Sequence, residues 1–121
     1  MKLPSPAHPI SIAPARGCVT VRAGGQVVAR SSRALVMHEA KHDAVYYVPR
    51  QDVEMDRLTG TQHKTHCAYK GDASYFTIKT DSTEIENAVW SYTEPYPAVG
   101  EIKEYLAFYP TKVQAIEFEA D

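Results

Sequence analysis

The chain has 121 residues, 44% of them apolar, and 13 Lys and Arg against 15 Asp and Glu give it a net charge of −2. This length makes one domain whose core needs no metal or disulfide staple, and the composition excludes wholesale disorder. Eight basic and five acidic residues fall in 1–60, and five and ten in 61–121. Neither half has the dense basic block of a nucleic-acid binder, and no apolar stretch approaches the roughly 20 residues that span a bilayer, so neither nucleic acid nor membrane is an expected partner.

Residues 1–16, broken by Pro4, Pro6, Pro9 and Pro14, read as an extended N-terminal arm ahead of a single β domain over 17–121. The arm lacks the continuous apolar core of a signal peptide, which predicts a cytoplasmic protein. In that compartment Cys18 and Cys67 are expected as free thiols. Val19 and Val21 alternate with polar neighbours, the period of a half-buried strand, and Gly24-Gly25 suits a tight hairpin turn returning through Val27–Arg30. Arg33–Glu39 and Ala44–Val48 predict a second strand pair.

Pro49 closes that phase. Asp52 is a plausible N-cap for one short helix over residues 52–58, with Gly60 as its stop. Three further strands are predicted at His66–Lys70, Ser74–Thr80 and Ile85–Tyr92, broken at Gly71-Asp72 and Asp81-Ser82-Thr83. A loop around Pro95 and Pro97 leads to a helical turn at Val99–Glu104. Strands at Tyr105–Tyr109 and Lys112–Glu119 end the chain. Many short strands make a mainly-β, single compact antiparallel domain.

The chemically richest stretch is Thr65-His66-Cys67-Ala68-Tyr69-Lys70-Gly71-Asp72-Ala73-Ser74-Tyr75. It puts a thiol, an amine, two phenols and a glycine turn within eleven residues. Tyr46-Tyr47-Val48-Pro49-Arg50-Gln51-Asp52-Val53 resembles the Y-hydrophobic-P-R-x-D-V signature of the domain of unknown function 427 family. Thr65-x-Cys67-Ala68-Tyr69-Lys70-Gly71 is similar to that family's T-x-C-P-Y-K-G element, with Ala68 where the family usually has proline. Asn87-Ala88-Val89-Trp90-Ser91-Tyr92 with Pro95, and Ala107-Phe108-Tyr109, match two more family stretches. His8-Pro9-Ile10 and Val28-Ala29-x-Ser31 add weaker agreement. The resemblance implies a β-structure of Mss4-like, β-tent-like topology. The family carries a loose nucleotidyltransferase label, but this chain has no Gly-Ser followed by the paired-aspartate metal site that such chemistry uses.

Cys67 is the one obvious nucleophile if a nearby cation lowers its pKa; otherwise it packs as a small hydrophobe. Regular alternation would put Cys67 and Tyr69 on one face and Lys70 on the other unless the strand bends. Arg50 and Lys70 are candidate anion-binding groups, with Arg50 alternatively pairing Asp52 or Asp56. Tyr69, Tyr75, Trp90 and Tyr92 are candidates to line an aromatic pocket, and equally to supply core bulk. Pro49, Asp52 and Gly71 are assigned structural roles. His38-x-x-x-His42 and His63-x-x-His66-Cys67 have superficially suitable spacing for zinc, but with no CxxC pair neither metal nor cofactor is expected. The leading expectation is a pocket for a small anionic or aromatic molecule lined by Arg50, Lys70, Trp90 and Tyr92. The alternatives are an enzyme with Cys67 as nucleophile, and a structural or homodimeric interaction module.

Overall fold

The computed structural model describes residues 1–121. Its strands are β1 (Ile10–Pro14), β2 (Gly17–Ala23), β3 (Gln26–Ser31), β4 (Leu35–Glu39), β5 (Val45–Tyr47), β6 (Leu58–Cys67), β7 (Gly71–Lys79), β8 (Glu84–Tyr92), β9 (Leu106–Phe108) and β10 (Ala115–Ala120). They build three antiparallel sheets, in the orders β1-β4-β5, β10-β2-β3 and β6-β7-β8-β9. The mainly-β antiparallel architecture is the one expected from alternation and turn chemistry.

The β2–β3 hairpin shows how local rules set register. Gly24 and Gly25 both take positive φ, at 56° and 78°, which a two-residue primed turn requires. That turn sets Ala23 opposite Gln26 and Arg22 opposite Val27. The valines then point inward, and Val19, Val21 and Val28 are fully buried with Ile78, Val89 and Leu106 in one core cluster. Each such side chain contributes about 1.5–3 kcal/mol by leaving water. A second cluster is rich in aromatics: Tyr47, Tyr75 and Tyr92 pack with Met37, Val99 and Ile102.

Part of the proline-broken N-terminal stretch is sheet. β1 pairs with β4 along its whole length, from Ile10 opposite Glu39 to Pro14 opposite Leu35. Proline is tolerated there because β1 is an edge strand.

The helix expected over 52–58 is absent. Two single 3₁₀ turns, Arg50–Asp52 and Met55–Arg57, stand in its place. Between them Val53 bridges to Ala29, and the Glu54 N–H donates to the Val28 carbonyl at 2.8 Å. Pairing at the edge of β3 wins over a two-turn helix that would form few internal bonds. The Asp52 carboxylate does not cap a helix either: it accepts from the Ser31 hydroxyl (2.6 Å) and the Arg33 guanidinium (2.9 Å). Gly60, expected as the helix stop, lies inside β6 opposite Phe76.

The sheet β1-β4-β5 meets the sheet β6-β7-β8-β9 at one backbone bridge. The Val48 N–H donates to the Leu106 carbonyl and the Leu106 N–H to the Val48 carbonyl, both at 2.8 Å.

Candidate functional site

Alternation on four strands aims side chains into the gap between these two sheets. Met37 and Glu39 on β4 and Val45 and Tyr47 on β5 face it from one side, with Met37 opposite Val45. Tyr75 on β7 stands directly opposite Trp90 on β8, and Ala73 opposite Tyr92, so Tyr75, Trp90 and Tyr92 face it from the other side. Tyr109, just beyond β9, tilts against Trp90 with ring centroids 4.5 Å apart. Together with Cys67, Tyr69, Lys70 and His8 these residues line a cavity of about 450 Å³ that opens to solvent. That is within the usual range for small-molecule sites.

The run from Thr65 to Tyr75 enters this cavity by bending. β6 ends at Cys67, residues 68–70 form a turn, and β7 starts at Gly71. Gly71 has φ 108°, a conformation that L side chains rarely adopt. The strand expected over 66–70 is therefore cut short, and the turn replaces strict alternation. Cys67, Tyr69 and Lys70 all line the one cavity as a result.

Lys70 is not a free cation. Its ammonium is hydrogen-bonded to Glu39 Oε1, and both side chains are only 13% exposed. Glu39 Oε2 is bonded to His8 Nε2 at 2.8 Å, and the His8 ring stacks on Tyr69. Burial raises the Glu39 carboxyl, but the hydrogen bonds from Lys70 and His8 outweigh burial and hold it below its ordinary value. On the opposite wall Tyr75 Oη lies 3.0 Å from both Thr65 Oγ1 and Tyr109 Oη. Burial pushes the phenols of Tyr47 and Tyr92 well up, and that of Tyr109 up to about 12 with help from its Tyr75 bond. These hydroxyls are neutral hydrogen-bonding groups at physiological pH.

Six of the seven residues singled out for chemistry or ligand contact converge here: Cys67, Tyr69, Lys70, Tyr75, Trp90 and Tyr92. Arg50 does not. Its Nε donates to the Glu104 carbonyl (2.8 Å) and meets the Glu104 carboxylate (3.1 Å), while Nη2 reaches the buried Ser91 hydroxyl at 3.3 Å. The guanidinium also lies over the Phe76 ring, 5.4 Å from its centroid. Glu104 has φ 67°, so Arg50 clamps a strained corner of the backbone. The pairing with Asp52 or Asp56 is not formed either; Asp52 binds Ser31 and Arg33.

His8, Glu39, His42, Asp43, Tyr47 and Tyr109 are polar cavity groups that sequence reasoning did not single out for the site. The signals available were the family matches at His8-Pro9-Ile10, at Tyr46–Val53 and at Ala107-Phe108-Tyr109; Glu39, His42 and Asp43 had none. No three His, Cys, Asp or Glu side chains converge as a metal site, and Cys18 and Cys67 are both free thiols.

No curated protein matches this chain. A family model does, and its span of residues 11–119 takes in every strand from β2 to β9 and all the cavity residues except His8. A match over nine-tenths of the sequence, together with the motifs that form the cavity walls, makes this chain a member of the family Domain of unknown function (DUF427).

Proposed function

We propose that the cavity binds a small, planar, uncharged aromatic molecule carrying both hydrogen-bond donors and acceptors. One juxtaposition carries this reading. An aromatic wall of Tyr75, Trp90, Tyr92 and Tyr109 faces a polar floor in which Lys70, Glu39 and His8 already satisfy one another. Aromatic faces reward flat ligands, and a mutually neutralised ion pair offers hydrogen bonds without a net charge. Support for an anionic ligand weakens because Arg50 is engaged elsewhere and the one lysine in the lining is paired. A bound anion would also meet the carboxylates of Glu39 and Asp43.

Trp90 is the single tryptophan, so its emission reports the cavity directly. Titration with benzamide and indole-3-acetamide, beside benzoate and indole-3-acetate, tests the reading, with isothermal titration calorimetry as a second readout. Saturable binding is expected, with each amide at least tenfold tighter than its acid. Acids binding as tightly as amides, or no heat and no emission change with any of the four, overturns it.

Cys67 supports a second reading, an enzyme in which its sulfur attacks the carbonyl carbon of a bound amide. The C–N bond breaks, the departing amine takes the thiol proton, and water then hydrolyses the thioester to the acid and restores the thiol. The observation in favour of this reading is that the thiol and the Lys70 ammonium line the same cavity. Its test is turnover lost in Cys67→Ser with binding retained.

A further inference from the structure

A second cavity, of about 240 Å³, lies where β2, β5, β9 and β10 meet. Val19, Val21, Val48, Phe108 and Ile116 line it, and Asp43 at the rim is the one charged side chain. An enclosed apolar space of about 150 Å³ is enough to take up a benzene ring. This one is larger and opens to solvent at Asp43, Ala44 and Pro110, all exposed. Tyr46 is braced at its edge by a stack on Phe118, centroids 5.4 Å apart and planes 16° from parallel.

Its position relative to the first cavity is the informative point. Asp43, Val45 and Trp90 line both spaces. Ala44, Tyr46 and Val48 line the second space while Val45 and Tyr47 face the first, so the two lie on opposite faces of β5 and adjoin only where Asp43, Val45 and Trp90 border both. The polar floor lies wholly in the first space, since Lys70, Glu39 and His8 are absent from the lining of the second.

We infer that the two cavities form one two-compartment site for an amphiphilic ligand. The planar polar head occupies the space at Lys70, Glu39 and His8, and a short aliphatic tail or second apolar ring passes Val45 and Trp90 into the space above Val21 and Ile116. This rests on the reading of the first cavity given above. It adds the class of ligand: an aromatic amide or similar head with an apolar substituent of about four to six carbons, sized by comparison with the benzene-binding cavity.

The test uses benzamide and 4-butylbenzamide, measured by isothermal titration on the whole chain. Each methylene moved out of water is worth about fourfold in affinity. 4-Butylbenzamide is expected to bind wild type at least tenfold more tightly than benzamide. Ala44→Phe and Ile116→Phe alter residues that line only the second cavity, and each is expected to shrink that ratio below about threefold while leaving benzamide affinity unchanged. Ala44 is exposed, so its substitution does not endanger folding, and both variants are checked for a cooperative thermal transition. A wild-type ratio near one with benzamide still bound overturns the two-compartment site and leaves the first reading standing. A tenfold ratio that survives both variants overturns it too. Silence from both ligands overturns the two readings together.

Discussion

The imidazole of His8 lies flat on the phenol ring of Tyr69, with centroids 3.9 Å apart and planes 6° from parallel. Through Nε2 the same ring is bonded to Glu39 on β4. One side chain ahead of β1 thus ties a strand of one sheet to the turn that follows β6 in another. His8→Ala removes the stack and the bond together and is expected to cost about 1–3 kcal/mol. His8→Phe keeps the stack alone and is expected to lose clearly less. Urea unfolding at neutral pH measures both, and equal losses would show that the stack contributes nothing.

Glu39 makes stability depend on acid. Burial opposes its ionisation, but the bonds from Lys70 and His8 prevail and its folded pKa falls below the ordinary 4.5. Its contribution is therefore complete above that ordinary value and is lost as pH falls through the lower folded one. Glu39→Gln has no such titration. The gap in melting temperature between wild type and Glu39→Gln is expected to close as pH is lowered from about 5 to about 3. A gap that stays constant over that range would rule out the ionised carboxylate as its source.

The tyrosines give the alkaline counterpart. Burial raises the phenols of Tyr47, Tyr92 and Tyr109 above the ordinary 10, Tyr109 to about 12. A raised folded pKa contributes stability below the unfolded value and loses it as pH climbs past about 10. Of eight tyrosines, these three are expected to stay un-ionised in the native protein near pH 11. Their near-ultraviolet tyrosinate absorbance then appears only together with unfolding. Smooth ionisation of all eight in the folded state would contradict the burial.

Arg50 tests whether a motif arginine acts on ligand or on backbone. Arg50→Ala removes the bonds to Glu104 and Ser91 and the contact with Phe76, for an expected loss of about 2 kcal/mol. Benzamide affinity is expected to be unchanged. Arg50→Lys keeps the charge but not the fork, so it recovers less than half of the loss. A tenfold fall in benzamide affinity at unchanged stability would reverse the assignment.

Cys67 and Cys18 can be told apart by protection. Cys67 lines the aromatic cavity, while Cys18 lines a separate polar cleft with Thr20, Arg22, Arg30 and Glu117. Saturating benzamide is expected to slow iodoacetamide labelling of Cys67 at least fivefold and to leave Cys18 unaffected, read by peptide mass. Equal slowing of both would mean that labelling reports global opening instead of occupancy.

The elements legible in the sequence were those with one wet and one dry face. β2, β3, β7 and β8 announce themselves by alternation, and the Gly24-Gly25 turn by its need for positive φ. β6 was mostly hidden because it is a sheet edge: Thr59, Gln62, His63, Lys64 and Thr65 are all exposed, so no hydrophobic period marks it. The helix over 52–58 was misread because Asp52 has the right chemistry for a cap, and only tertiary partners reveal that Arg33 and Ser31 take its oxygens. The aromatic members of the site were readable from strand parity. Lys70 depended on a bend, and Glu39 and His8 on a pairing across 31 residues, for which local sequence carries no signal.

The cavity's two walls belong to different sheets, and few bonds join them. At one end stands the Val48–Leu106 backbone bridge; at the other, the Lys70–Glu39 pair and its His8 strut. Between those ends Met37 and Tyr47 of one leaf pack with Tyr75 and Tyr92 of the other in a single buried cluster. Spreading the leaves would carry these side chains into water, so loosening the ionic end frays only the rim of the gap, and exchange of the Val48 and Leu106 amides stays slow.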